Sequence, residues 1–338
     1  MTMLKAFTTI LALALNLATT AQVAEKIWAG PDELKDLARR ILVVELPGED
    51  PKLLDALPKH ATEKEIAEHR ASIESYWASL ESYRAMIEPA IREHWKYNEE
   101  IEFKTTAEIF ELFEKRSTKH VALLKVVLEN GMGISRYTTR LGCPAIILAR
   151  TDGDSKLTKS GNLLLGKYDY QMYLATTTSE TGDVSYTPAL MKFTLLQAQK
   201  HLAWIIKNGK SLSYVKYCKA MAEANCAKLH RLEMVVPEDG MHPGTTQEMA
   251  RENYPYPMQF LSVPDLEATY TSGTEGNAVL FTLPVAAVSG TLKSYLAYLK
   301  VFVDPSTNEV VGAIIPGIGV PLVRELLVQD LKRLDKCD

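Results

Sequence analysis

The sequence predicts an α/β protein of two related lobes with mixed sheets. Short β-branched runs alternate with amphipathic helical stretches, the pattern of parallel strands joined by right-handed crossovers. The order β-α-β-α-β-β-β-α is readable twice, and each reading closes on a hairpin that adds antiparallel strands. Residues 101–124 also align without gaps on residues 258–281, at an offset of 157. Phe103 then meets Phe260, Glu108 meets Asp265, Ile109 meets Leu266, Phe113 meets Tyr270 and Leu123 meets Leu280. Self-similarity in only two copies points to internal duplication rather than to a solenoid.

The elements follow in order. Ile41–Leu46 is an apolar run stopped by Pro47-Gly48, hence a strand. Thr62 and Glu65 form a capping box that opens a long helix over residues 62–96. Ile66, Ile73, Trp77, Leu80, Ile87, Ile91 and Trp95 make its single apolar stripe. Strands are expected at 100–105, 120–128, 145–149 and within 162–176, with a short helix at 107–115. Thr187 caps a helix with Pro188 at its first position, and Gly209 ends it. In the second half, strands are expected at 232–236, 258–262, 278–283, 296–303 and 309–315. Short helices lie at 245–251 and 264–270. Pro321 is read as opening the last helix, with Leu322, Leu326, Leu327 and Leu331 on one face. A second repeat block, at an offset of 126, sets a hairpin turn at residues 179–182 opposite the one at 304–308. The domain reading is therefore a first lobe over 22–208 with its long inserted helix, a helical connector over 209–230, and a second lobe over 231–338.

Residues 1–21 read as a signal peptide. Lys5 precedes a 13-residue apolar run ending at Ala18, and small residues reach Ala21. Thirteen residues fall short of the roughly 20 that span a bilayer as a helix. Cleavage before Gln22 leaves 317 residues with net charge −5, no later transmembrane segment, and a periplasmic or extracellular location. With 38 basic and 42 acidic side chains, the near-neutral balance lacks the basic footprint of a nucleic-acid binder. Export permits disulfides. Cys218 and Cys226, on one helix, would lie about 12 Å apart along it, beyond the disulfide limit of about 7 Å. Cys143, Cys218, Cys226 and Cys337 are read as free and buried.

No motif fixes a chemistry. G-x-S-x-G and H-E-x-x-H are absent, Asp152-Gly-Asp154 lacks the remaining ligands of a calcium loop, and Gly317-Ile-Gly319 lacks the third glycine of a dinucleotide fingerprint. Neither a cofactor nor a metal is expected. Two acidic pairs, Glu49-Asp50 and Glu238-Asp239, fall just past the carboxyl end of each lobe's first strand, where open α/β sheets bind ligands. Lys104, Thr105 and Thr106 end the second strand beside them. Together they are the expected site for a polar ligand. The function expected is that of an exported bacterial cell-envelope protein that binds a polar ligand or another envelope protein without catalysis. The alternatives are a hydrolase acting on envelope polymers through cleft carboxylates, and a structural subunit pairing through its hairpin edges.

Overall fold

The first lobe runs α1 (Pro31–Leu37), β1 (Ile41–Leu46), α2 (Glu63–His94), β2 (Ile101–Thr105), α3 (Thr106–Glu114), β3 (His120–Glu129), β4 (Gly133–Ser135), β5 (Cys143–Arg150), β6 (Lys156–Leu157), β7 (Leu163–Leu164), β8 (Tyr170–Tyr173), β9 (Thr177–Thr178), β10 (Val184–Ser185) and α4 (Pro188–Asn208). The second runs α5 (Tyr214–Leu229), β11 (Glu233–Pro237), α6 (Gln247–Asn253), β12 (Met258–Leu261), α7 (Val263–Thr271), β13 (Asn277–Ser289), β14 (Ser294–Asp304), β15 (Glu309–Ile314) and α8 (Val328–Lys336). This computed structural model describes residues 29–48, 61–129, 133–135, 143–153, 156–157, 163–164, 168–175, 177–178, 184–289, 294–316 and 323–336.

Local chemistry sets the helix starts. Thr62 accepts from the Glu65 amide while the Glu65 carboxylate takes the Thr62 amide, closing the expected capping box. Thr105 and Glu108 repeat the device at α3. Thr187 caps α4 with Pro188 in its first turn, and Gly209 ends it in the left-handed region at φ 65°, where glycine carries no Cβ penalty.

Both lobes carry mixed sheets built on a five-strand path of one topology, and in the first the short β4 adds a sixth strand beside β3. The first is ordered β2-β1-β3-β5-β8 and the second β12-β11-β13-β14-β15. Along each path the first three strands of the chain pair parallel, and two later strands, β5 and β8 or β14 and β15, add antiparallel. The registers agree: Ile41 faces His120 and Leu42 faces Ile101, while Glu233 faces Asn277 and Met234 faces Met258. Helices α3 and α7 both have nine residues, both begin after a hydroxyl cap, and start 157 positions apart. Two residues past each, Arg116 (φ 48°) and Gly273 (φ 70°) occupy the same left-handed turn.

Three expectations need correction. The block at an offset of 126 does not match the topology. Residues 304–309 join β14 to β15, whose counterparts are β5 and β8, so their equivalent is the connection after Arg150. The proposed partner begins in β9, which pairs with β10 in a separate two-stranded sheet; the turn at 179–182 lies outside the described residues. The last helix starts at Val328, not at Pro321. The Leu326 amide donates to Gly240 O and its carbonyl accepts from His242, so this backbone is spent on a bridge to the β11–α6 connection. Pro321 and Leu322 themselves are outside the described residues. Finally, Cys143 and Cys218 are buried and form no disulfide, but Cys226 is disulfide-bonded.

Side-chain alternation along the second sheet feeds two cores. Val235, Val279, Phe281, Val301 and Val303 join the large core that also holds β1, β3, β5 and α4. Met234, Val236, Ala278, Leu280 and Phe302 face a smaller core under α6 and α8. Helix α4 bridges the lobes. Phe193 packs on Tyr270 and Phe281, Gln197 Nε2 donates to Asn308 O at 2.9 Å, and Thr187 Oγ1 donates to Glu267 at 2.7 Å. Side chains therefore fill the contact between the lobes along α4.

Candidate functional site

The expected polar site is only partly assembled. Lys104 pairs with Glu102 at 2.9 Å along its own strand. Thr105 is spent as the α3 cap. Thr106 Oγ1 donates to Glu45 Oε1 at 2.6 Å. Glu45 is fully buried near the carboxyl end of β1, a carboxylate the sequence reading passed over. Its signal was there, a lone acid inside the run Ile41–Leu46. Glu238 and Asp239 form an exposed 3-10 turn after β11 on the other sheet. No bond joins them to residues 104–106 among the described residues. Glu49 and Asp50 lie outside the described residues. Tyr168, Tyr170, Tyr173 and Tyr254 are buried, so their rings serve the core rather than a stacking surface.

A groove of about 340 Å³ opens elsewhere, between α5, the edge strand β15 and α8. One face of α5 lines it with Lys219, Ala222, Glu223 and Cys226. Residues 311–315 form its floor, and Arg333 and Leu334 its far side. Gly312 lets α5 lie close, since a Cβ there would stand 2.8 Å from Leu229 Cδ2.

Polar bonds fix the walls. Asn225 Nδ2 donates to Val310 O at 2.8 Å, covering an edge carbonyl. Lys228 Nζ bridges Asp304 at 2.8 Å and Glu309 at 2.7 Å. Burial of Asp304 works against its charge, yet the hydrogen bonds from Lys228 and Ser306 hold its carboxyl at about 2. His230 Nε2 donates to Leu334 O at 3.0 Å, tying α5 to α8. The Cys226 disulfide adds a covalent tie on the α5 wall. Walls held this way spare a ligand the cost of ordering them. Lys219 and Glu223 lie 3.7 Å apart and offset one another. Arg333 has no ion-pair partner among the described residues.

Two buried titratable groups lie away from the groove. Lys125 sits 5.3 Å from the ring centroids of both Tyr83 and Tyr186, and burial pushes its ammonium down to about 8. His201 is fully enclosed by Tyr170, Tyr214 and Tyr217, and burial pushes it down to about 3. Among the described residues no three His, Cys, Asp or Glu side chains gather to hold a metal ion, and no helix is long and apolar enough to cross a membrane. Compared with known proteins, the chain matches no family model, no curated protein and no solved structure.

Proposed function

We propose that this is an exported bacterial cell-envelope protein that acts by binding, with the groove between α5, β15 and α8 as its binding place. The observation that carries the reading is the disulfide at Cys226 on the groove wall. Disulfides form and persist in oxidising compartments and are rare in the cytosol, so the complete groove belongs to an exported chain. The apolar run behind Lys5 supports the same destination. The groove's size lies within the roughly 300–1,000 Å³ of small-molecule sites.

Expression with the native N-terminus, cell fractionation and intact-mass measurement test the export claim. The expected product lies outside the cytoplasm and begins at Gln22. A chain that keeps Met1 and stays in the cytoplasm overturns it. We also read the lobes as copies of one unit, on the support of their common strand order, register and the offset of 157. An experimental structure whose two sheets fail to superpose strand for strand would refute that.

A further inference from the structure

We propose that the groove takes a small amphiphilic carboxylate, with its apolar chain along β15 and its carboxylate on the Arg333 guanidinium. The proposal deepens the reading of the groove as a binding place and names the ligand class.

The floor and most of the wall are apolar: residues 311–315, Ala222 and Leu334. Three charged side chains reach the groove, and two of them, Lys219 and Glu223, already neutralise each other. That leaves Arg333. Its natural helical partner is Asp330, one turn earlier. Asp330 is buried instead: its Oδ2 holds the buried Lys300 ammonium at 2.6 Å and accepts the Leu327 amide. Glu223 on the facing helix is held by Lys219. Among the described residues the guanidinium fork has no carboxylate partner, and its planar donors match an outside carboxylate two to two.

Charge and size narrow the ligand further. One cation without an ion-pair partner among the described residues suits one negative charge on an otherwise apolar molecule. About 340 Å³ holds a short chain, whereas a protein partner would need roughly 800 Å² of surface on each side. A charge at the rim and hydrocarbon along the floor describe a medium-chain fatty acid or a chemically similar acid.

The test uses the disulfide-bonded chain starting at Gln22, titrated calorimetrically with decanoate, decanol and acetate. Decanoate is expected to bind saturably, one per chain, and acetate not at all. Arg333→Gln should weaken decanoate at least tenfold and leave decanol unchanged. Ala222→Leu, which narrows the groove from a half-exposed position on α5, should weaken both. Thermal unfolding of each variant checks that the fold is kept. No saturable decanoate binding, or equal affinity in Arg333→Gln and the parent, overturns the proposal. A leucine-ended peptide that binds where decanoate does not overturns it too. Failure here leaves the export claim standing, and retention of Met1 leaves a decanoate result standing.

Discussion

The Phe193 ring of α4 lies stacked on the Phe281 ring of β13, with centroids 4.1 Å apart and planes 17° from parallel. Tyr270 of α7 meets both rings edge-on, at 6.4 and 4.7 Å. The contact joins a helix of the first lobe to the sheet and helix of the second. Phe193→Ala should cost about 3–5 kcal/mol through lost burial and the cavity left behind. All four tryptophans precede residue 209, so fluorescence reports the first lobe while circular dichroism reports both. The two signals should unfold in urea at one midpoint. Separate midpoints in the parent protein would show that the lobes are not one cooperative unit.

Acid should weaken the fold through His201. Its Nε2 donates to Leu212 O at 3.0 Å and its Nδ1 accepts from the Tyr170 hydroxyl at 3.2 Å, so the neutral ring is satisfied on both sides. The folded ring takes a proton only near pH 3, against an ordinary 6.5. Below 6.5 the unfolded chain binds that proton and the folded chain does not, so stability falls as pH drops from 6.5 toward 3. At pH 4.5 the loss is about 2–3 kcal/mol. Urea titrations at pH 7 and pH 4.5 measure it, and His201→Gln should shrink the difference by that amount. An unchanged difference removes His201 as the cause.

Base should act in the opposite sense through Lys125. Burial lowers its folded pKa from 10.5 to about 8, and no carboxylate pairs with it among the described residues. Between those values the unfolded chain holds a proton that the folded chain has released, so this group's contribution to stability rises with pH from about 8 to 10.5. Lys125→Met removes the buried charge and keeps the length of the side chain. It should stabilise the protein at pH 7 by about 1–3 kcal/mol and flatten that rise. A Lys125→Met protein less stable than the parent at pH 7 would show that the two tyrosine rings more than offset the cost of burial.

Reduction should destabilise the protein strongly. The disulfide at Cys226 is the bond that reduction breaks. A disulfide of a folded domain contributes about 2–4 kcal/mol, mainly by restricting the unfolded state. Urea unfolding with and without dithiothreitol measures the difference. An unchanged midpoint would mean that the oxidised chain gains nothing from the link.

Much of the fold was legible because its signals are local. Thr62 with Glu65, Thr187 with Pro188, and Gly209 each act within one helical turn. The start of α8 was not legible, because the Leu326 backbone is claimed by Gly240 and His242, far back in the chain. The offset of 126 misled because two polar turns look alike, whatever strands they join. In the expected polar site, Lys104 and Thr105 proved to serve their own strand and helix, while the buried Glu45 drew Thr106 inward. The groove was invisible in the sequence. It is assembled from three elements, and among the described residues Arg333 has no ion pair while Asp330, one turn earlier, holds Lys300 of a different strand.

The second sheet lends one face to the first lobe's core. A chain cut in the 209–213 link would leave α4 with its Phe193 uncovered on one piece, and Val279, Phe281, Val301 and Val303 uncovered on the other. Each fragment would carry the apolar patch that its counterpart shields, a surface soluble proteins rarely leave bare. Made as separate polypeptides, the halves should seek each other out. The protein holds a ready pair for fragment complementation within one reading frame.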